Sequence, residues 1–383
     1  MYGDYRNLRR ILIVLSFAAI TLESTPIESQ IKEREMAPES SMNIMVDVSP
    51  ASPNAGTSLA SSLCPLMAIL GRPDWTMARM QGVMGHAFQF DMYEGGSHVN
   101  HDHLDWGPAL EILPQIAEFR EFGGKSHHDS GASLELKQEA RDAVRESLRR
   151  GTPALAWSPM GPEIKAVPGP KPYCWGLIIG YNDHDETYTV RHPWVDDTYT
   201  VRYDALGTTG EKWFNIKVFD RAKEPDQVAL HLVALQHAVG LATETRYAER
   251  DSSNANRRSI PHGFSAYEVW REAFESEDVP HSVSRHHAKI LRARRSAAAE
   301  YMRELVAVFP NAEEPLEATA LAYDRELESL NGLYDLCVVA HSNRTWTTET
   351  RAQARIFISE ALAAEREAIA NIQASLIVFD ESR

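Results

Sequence analysis

The chain has 383 residues, 43% of them hydrophobic and 24% charged, with a formal net charge of −15. The length fits two ordinary domains and the balance is that of a globular chain, which argues against global disorder. The acidic excess argues against a dedicated nucleic-acid binder, which carries a basic footprint, and against general attraction to anionic lipid.

The N-terminus has Arg6, Arg9 and Arg10 ahead of an apolar run from Ile11 to Leu22. That is the length of a signal-peptide core and short for a membrane span. No small-x-small cleavage site follows, so two readings stay open. Either the segment directs export, or translation starts at Met36, Met42 or Met45 and the protein is cytoplasmic. In both, residues 1–42 stand apart as an N-terminal segment and linker. The cysteines are Cys64, Cys174 and Cys337. They are too few for a disulfide scaffold and fit a reducing compartment, with a Cys64–Cys174 bridge as the open alternative.

An apolar helix is expected over Leu59 to Leu70, stopped by Gly71-Arg-Pro73, where glycine ends the helix and proline forbids continuation. Ala109 to Phe122 also has helical spacing, and Leu134 to Arg149 is a clearer amphipathic helix. From Gly151 the pattern becomes strand-like: Pro153–Trp157, a buried run Trp175–Tyr181, then period-two alternation over Thr187–Arg191 and Tyr199–Tyr203, with Lys212–Val218 closing a sheet. Asn182–Glu186 reads as a hairpin turn. If Tyr181 pairs with Thr187, Cys174 lies diagonal to His192 on one face. Beyond Lys223 only helical stripes remain: Val228–Thr243, Ser265–Glu275, Val283–Phe309, Leu316–Val339 and Thr347–Leu376. Pro315 is expected at a helix first position and Thr347 at an N-cap. The expected fold class is α+β, with an α+β domain over 43–222 and an all-α helical domain over 223–383.

Three short stretches carry a family resemblance. Ser58-Leu-Ala-Ser-Ser-Leu-Cys-Pro-Leu-Met-Ala-Ile-Leu-Gly71, Met84-Gly-His-Ala-Phe88 and Leu177-Ile-Ile-Gly-Tyr-Asn182 are similar to the N-terminal domain of butirosin-biosynthesis H proteins. They also resemble bacteriocin-leader-processing peptidases, which are papain-like. The resemblance covers roughly Asn43 to Val218. It implies a papain-like cysteine-peptidase fold, an N-terminal helix packed on an antiparallel sheet. In that pattern a cysteine starts the helix, a histidine opens a strand, and an aspartate before proline closes the next. This chain has Ser58, Cys174 and His192 at those positions, and no glutamine lies just upstream of Ser58 or Cys64 to donate to an oxyanion.

Two functional classes follow. One is a non-proteolytic pseudo-enzyme that binds a small molecule or peptide. The other, implied by the butirosin-type resemblance, is acyl transfer from a carrier thioester with Cys174 or Cys64 as nucleophile and His192 as base. Cys64 suits that role only if Ser62 caps the helix and Cys64 falls in its first turn, where the positive end of the helix lowers a thiol pKa. Otherwise the helix begins near Ser58, Pro65 kinks it and Cys64 is an inert core thiol. Ser58 reads as a helix cap rather than a nucleophile. A third arrangement is metal binding by His98, His101 and His103, with a carboxylate nearby, although their spacing fits no established zinc motif. Tyr173, Trp175 and Trp194, at strand ends, line a cleft or pack between sheet and helices. The basic run Arg285, Lys289, Arg292, Arg294 and Arg295 reads as a solvated helix face. No cofactor and no membrane span are expected, and the oligomeric state is not readable.

Overall fold

A computed structural model describes residues 43–50, 57–92, 106–123, 132–159, 175–193, 195–206, 214–243, 247–248 and 259–381. Strand β1 (Asn43–Met45) leads to helices α1 (Ser58–Ile69) and α2 (Met77–Val83), then to the short helices α3 (Trp106–Glu111) and α4 (Leu113–Ile116). Strand β2 (Ala117–Gly123), helix α5 (Leu134–Arg149) and strands β3 (Ala154–Trp157), β4 (Trp175–Asn182), β5 (Thr187–His192), β6 (Val195–Arg202) and β7 (Asn215–Ala222) complete the first half. The second half consists of α6 (Gln227–Thr243), a small ladder of β8 (Tyr247–Ala248) and β9 (Ser259–Ile260), and helices α7 (Phe264–Ala273), α8 (His281–Val308), α9 (Glu313–Asn343) and α10 (Thr348–Glu381). The architecture is therefore α+β with a helical C-terminal region. No helix among the described residues is long and apolar enough to cross a membrane.

The sheet is antiparallel, with strand order β2-β7-β3-β4-β5-β6 and β1 alongside the far end of β4. One face, with Ala154, Ala156, Ile178, Val190 and Val218, packs on the Ala140–Ala143–Val144–Leu148 stripe of α5. The other face, with Leu155, Trp157, Trp175, Leu177 and Phe219, packs on α1 and α2 and shares one core with Tyr301, Leu316, Tyr323 and Ile369 of the later helices. The strand-bearing stretch and the helical stretch thus form one compact unit from Ser41 onward.

Several local expectations are corrected. The stretch Ala109–Phe122 is not one helix: from Ala117 it is a strand, held by pairing with β7 across a bulge at Glu118/Phe119. Its cross-strand partners (Glu118 with Arg221, Glu121 with Lys217) come from about a hundred residues later, beyond the reach of local periodicity. Near the β4–β5 turn Tyr181 faces Tyr188, not Thr187, and an irregularity between Ile178 and Gly180 brings Leu177 opposite Arg191. Pro315 is the third residue of α9, while Thr347 does cap α10, its hydroxyl accepting the Thr350 N–H at 3.1 Å.

The largest correction concerns the basic run on α8. Arg294 and Arg295 are buried, not solvated. The Arg295 guanidinium donates to the Ala87 carbonyl at 2.7 Å and lies 3.1 Å from Glu326 and 2.8 Å from Glu365. Tyr267 donates its hydroxyl to Glu326. Arg294 donates to the Gln89 carbonyl at 2.9 Å, and its charge bears on Asp91, which His262 engages at 2.8 Å through Nδ1. Burial pushes the Glu326 carboxyl well above the usual carboxylate range, and the neighbouring Glu365 adds to the effect. For Asp91 burial acts upward, but the His262 hydrogen bond and the charges of His262 and Arg294 hold it below its ordinary value. Two guanidiniums are thus buried beside Asp91, Glu326 and Glu365, and burial biases the Glu326 carboxyl toward its protonated form.

This cluster sets a pH dependence with a defined sign. Glu326 keeps its proton folded at a pH where the unfolded chain has lost it. Its contribution is therefore complete below the unfolded carboxylate pKa and declines as pH rises toward the folded value. Across that window the slope is about 1.4 kcal/mol per pH unit. Glu326→Gln, an isostere of the protonated acid, is expected to leave urea stability at and below the unfolded carboxylate pKa almost unchanged and to flatten the loss as pH rises above it. A variant with the wild-type slope would show that Glu326 is ionised in the fold.

Candidate functional site

The site is built where the start of α1 meets the start of β4. Thr57, not Ser58, caps the helix, its hydroxyl accepting the Ala60 N–H at 3.3 Å. Ser58 is the first helical residue, and its hydroxyl accepts the Trp175 N–H at 3.1 Å. One turn on, the Ser62 hydroxyl reaches the Trp175 carbonyl at 3.5 Å. Two serines spaced by a helical turn thereby engage both polar groups of one strand residue, and both are buried. Gly71, at φ 83°, stops the chain after α1, with the Arg72 N–H returning to the Met67 carbonyl at 2.8 Å.

Pro65 lies inside this helix, and Cys64 follows six residues after its start. The arrangement with Ser62 as cap and Cys64 in the first turn is not the one formed. Cys64 is a free thiol facing the Met77 sulfur at 3.3 Å, and burial, with the Glu304 carboxylate second, pushes it up to about 12. It gains nothing from the helix N-terminus because the terminus lies almost two turns away. Cys337, buried on α9, is likewise raised to about 12 by burial.

His192 ends β5 with its ring buried against the start of β4. A Cβ added at Gly176 would stand 3.5 Å from the ring and 2.9 Å from Pro159. Burial lowers its pKa to about 3, so the imidazole is neutral at physiological pH. Cys174 lies outside the described residues, as do His98, His101 and His103, and with them Tyr173 and Trp194. Trp175 is a core residue rather than a cleft wall: it is buried edge-on to Trp157 at 5.3 Å between ring centroids. Among the described residues no group of three or more His, Cys, Asp or Glu side chains is placed to hold a metal ion.

Two residues near this end of the sheet escaped sequence reasoning. Lys217 is 2% exposed, paired with Glu121 at 2.7 Å and Asn215 at 2.8 Å, with its ammonium 5.3 Å from the Trp175 ring centroid. Its place in the alternating run Asn215-Ile-Lys-Val-Phe219 marks it as facing the same way as Phe219, which was the available signal. Ser158 follows β3 with φ 41°, a left-handed conformation that no local motif announces.

Compared with known protein families and with curated proteins, the chain matches no family model and no curated protein.

Removing the Ser58 hydroxyl strips the Trp175 N–H of its acceptor inside the core. Ser58→Ala is expected to cost about 1–3 kcal/mol in urea unfolding, the penalty of an unsatisfied buried donor. A thiol near 12 leaves fewer than about one molecule in ten thousand as thiolate at pH 7.5. Cys64 and Cys337 should therefore stay unmodified by iodoacetamide in the native protein and react in urea, as peptide mass mapping would show. Native labelling of Cys64 at the rate of a free peptide thiol would contradict its placement in the core.

Proposed function

We propose that this chain is a papain-like-fold protein that binds a small-molecule or peptide ligand without cleaving it, at the end of the sheet where Ser58 meets Trp175 and His192 meets Gly176. The observation that carries this reading is the engagement of Ser58. The hydroxyl at the position of the family nucleophile accepts a core backbone N–H at 3.1 Å and is buried, the state of a brace and not of an attacking group. Two further facts support it. A neutral imidazole with a pKa of about 3 is a poor acceptor for a proton from serine or cysteine at neutral pH. A thiol held at about 12 is not an activated nucleophile.

Acyl transfer is the second reading, favoured by the ring of His192 against Gly176, two residues along the chain from Cys174. In that chemistry the Cys174 thiol would attack a carrier thioester. The carrier thiol would leave with the proton, and the acyl group would pass from cysteine to an amine.

Incubation with a short-chain acyl N-acetylcysteamine thioester separates the two. Intact-mass spectrometry is expected to find no acyl adduct, and no amide should form when an amine is added. An acyl adduct on Cys174, abolished by Cys174→Ser and slowed by His192→Ala, would replace binding by acyl transfer.

A further inference from the structure

Side chains that can carry positive charge gather where the start of α8 runs beside the end of α9. The His281 and His341 rings stand perpendicular, with 5.3 Å between their centroids. Arg285 lies one turn after His281 on α8, and Arg344 closes α9 just beyond His341. His281, Arg285 and His341 are half-buried and Arg344 is exposed, so the group opens to solvent. In both rings Nδ1 is buried with no hydrogen-bond partner among the described residues, which leaves Nε2 as the nitrogen that can meet a ligand. Loss of water contact first, and then the charges of Arg285, His281 and Arg344, hold the His341 imidazole below its ordinary pKa.

The fold accounts for only half of this group. The negative end of α9 favours cations at His341 and Arg344, but the positive end of α8 disfavours one at His281. The carboxylates that precede α8 are committed elsewhere, Glu275 to Arg355 at 2.9 Å and Glu277 to Arg351 at 3.1 Å. Arg344 also adopts φ 55°, its N–H donating to the His341 carbonyl at 3.3 Å. Glycine is the residue favoured in that left-handed position, because it has no Cβ to strain. Arginine there strains the backbone and keeps a guanidinium next to the imidazoles.

The chemistry of the group selects an anion. A divalent cation held by the two imidazoles would sit beside two guanidiniums that are always charged. A phosphoryl group instead offers three terminal oxygens to two planar guanidinium forks and two imidazole N–H donors. A carboxylate offers two oxygens and a single charge, and so fills fewer of these donors.

We propose that His281, Arg285, His341 and Arg344 form a binding site for the phosphoryl group of a phosphate monoester, carried by a small soluble ester or by a lipid headgroup. The site is separate from the sheet end and does not rest on the binding reading there.

The test uses the full chain as wild type, Arg285→Gln, Arg344→Gly and Arg303→Gln, the last removing a charge from α8 where it pairs with Asp324. The probes are glycerol 1-phosphate and acetate by calorimetry, and sedimentation with phosphatidylcholine vesicles with and without phosphatidic acid. Wild type is expected to bind a phosphate monoester and to bind acetate more weakly. Arg285→Gln and Arg344→Gly should each weaken phosphate binding about tenfold, the loss of one charge-assisted hydrogen bond, while Arg303→Gln leaves it unchanged. Arg344→Gly should also melt at or above the wild-type temperature, since glycine relieves the left-handed position. Within that pattern, binding of the soluble ester alone assigns the phosphoryl group to a soluble ligand, and binding of phosphatidic-acid vesicles alone assigns it to a lipid headgroup. Wild-type affinity in Arg344→Gly, or an equal loss in Arg303→Gln, overturns the site. Equal binding of acetate overturns the ligand class, and no binding of either phosphate probe overturns the inference. A drop of several degrees in the melting temperature of Arg344→Gly would assign the guanidinium to the fold and overturn the proposal as well.

Discussion

The burial of Arg295 is the constraint on which the rest of the molecule depends. A guanidinium removed from water must find acceptors on nearly every N–H, and here they come from both halves of the chain. The Ala87 carbonyl belongs to the segment after α2, Glu326 on α9 accepts from Arg295, and Glu365 on α10 adds an ion pair at 2.8 Å. Arg294 repeats the contact one residue away, on the Gln89 carbonyl at 2.9 Å. Residues 87–89 are thus fixed to α8 by charge-assisted hydrogen bonds, and α2, which precedes them, is carried against the same helix. The helical region is not an appendage, because the strand-bearing half completes its buried electrostatics.

That coupling extends to the sheet. α1 and α2 form a layer between the sheet face of Trp157 and Trp175 and the helices α6, α8 and α9. Pressed from both sides, α1 presents Ser58 and Ser62 to the backbone of Trp175 and sets the start of β4. His192 reaches the same strand from the other neighbour, β5. The sheet end is therefore assembled from the start of α1, the start of β4 and the end of β5. What occupies it is a bracing serine, a neutral buried imidazole and a strained serine with an unsatisfied hydroxyl. A braced hydroxyl and a neutral imidazole do not activate a nucleophile, and that is why binding is the function proposed.

Much of the fold was legible because it is local. The stripe of α5 emerged at its observed bounds, Leu134–Arg149, because an amphipathic face repeats every three to four residues whatever it packs on. The Gly71 stop, the Thr347 cap and the turn at Asn182, whose side chain accepts the His184 N–H at 2.9 Å, were legible for the same reason. The strand Ala117–Gly123 was not, since its Ala, Glu and Arg residues favour a helix until β7 supplies partners. Of the candidate site, Ser58, Cys64 and His192 were named from sequence, but their states were not. Ser158 was missed because a positive φ leaves no mark in residue type, while the alternation of Asn215–Phe219 gave the face of Lys217 but not the distant Glu121 that pairs with it.

By itself the sequence determined the α+β character, the helical C-terminal region and most of the strands from Ala154 onward, since these follow from hydrophobic period and turn chemistry, whereas Ser58 and His192 were singled out by a family resemblance. Only the tertiary structure decided that Arg294 and Arg295 are internal, that Cys64 lies in mid-helix, and that the Ser58 hydroxyl is engaged by Trp175. Each of these depends on what another part of the chain brings within hydrogen-bonding distance. Desolvation and pairing, which set the charge state and reactivity of a side chain, are properties of that meeting and not of the residue alone.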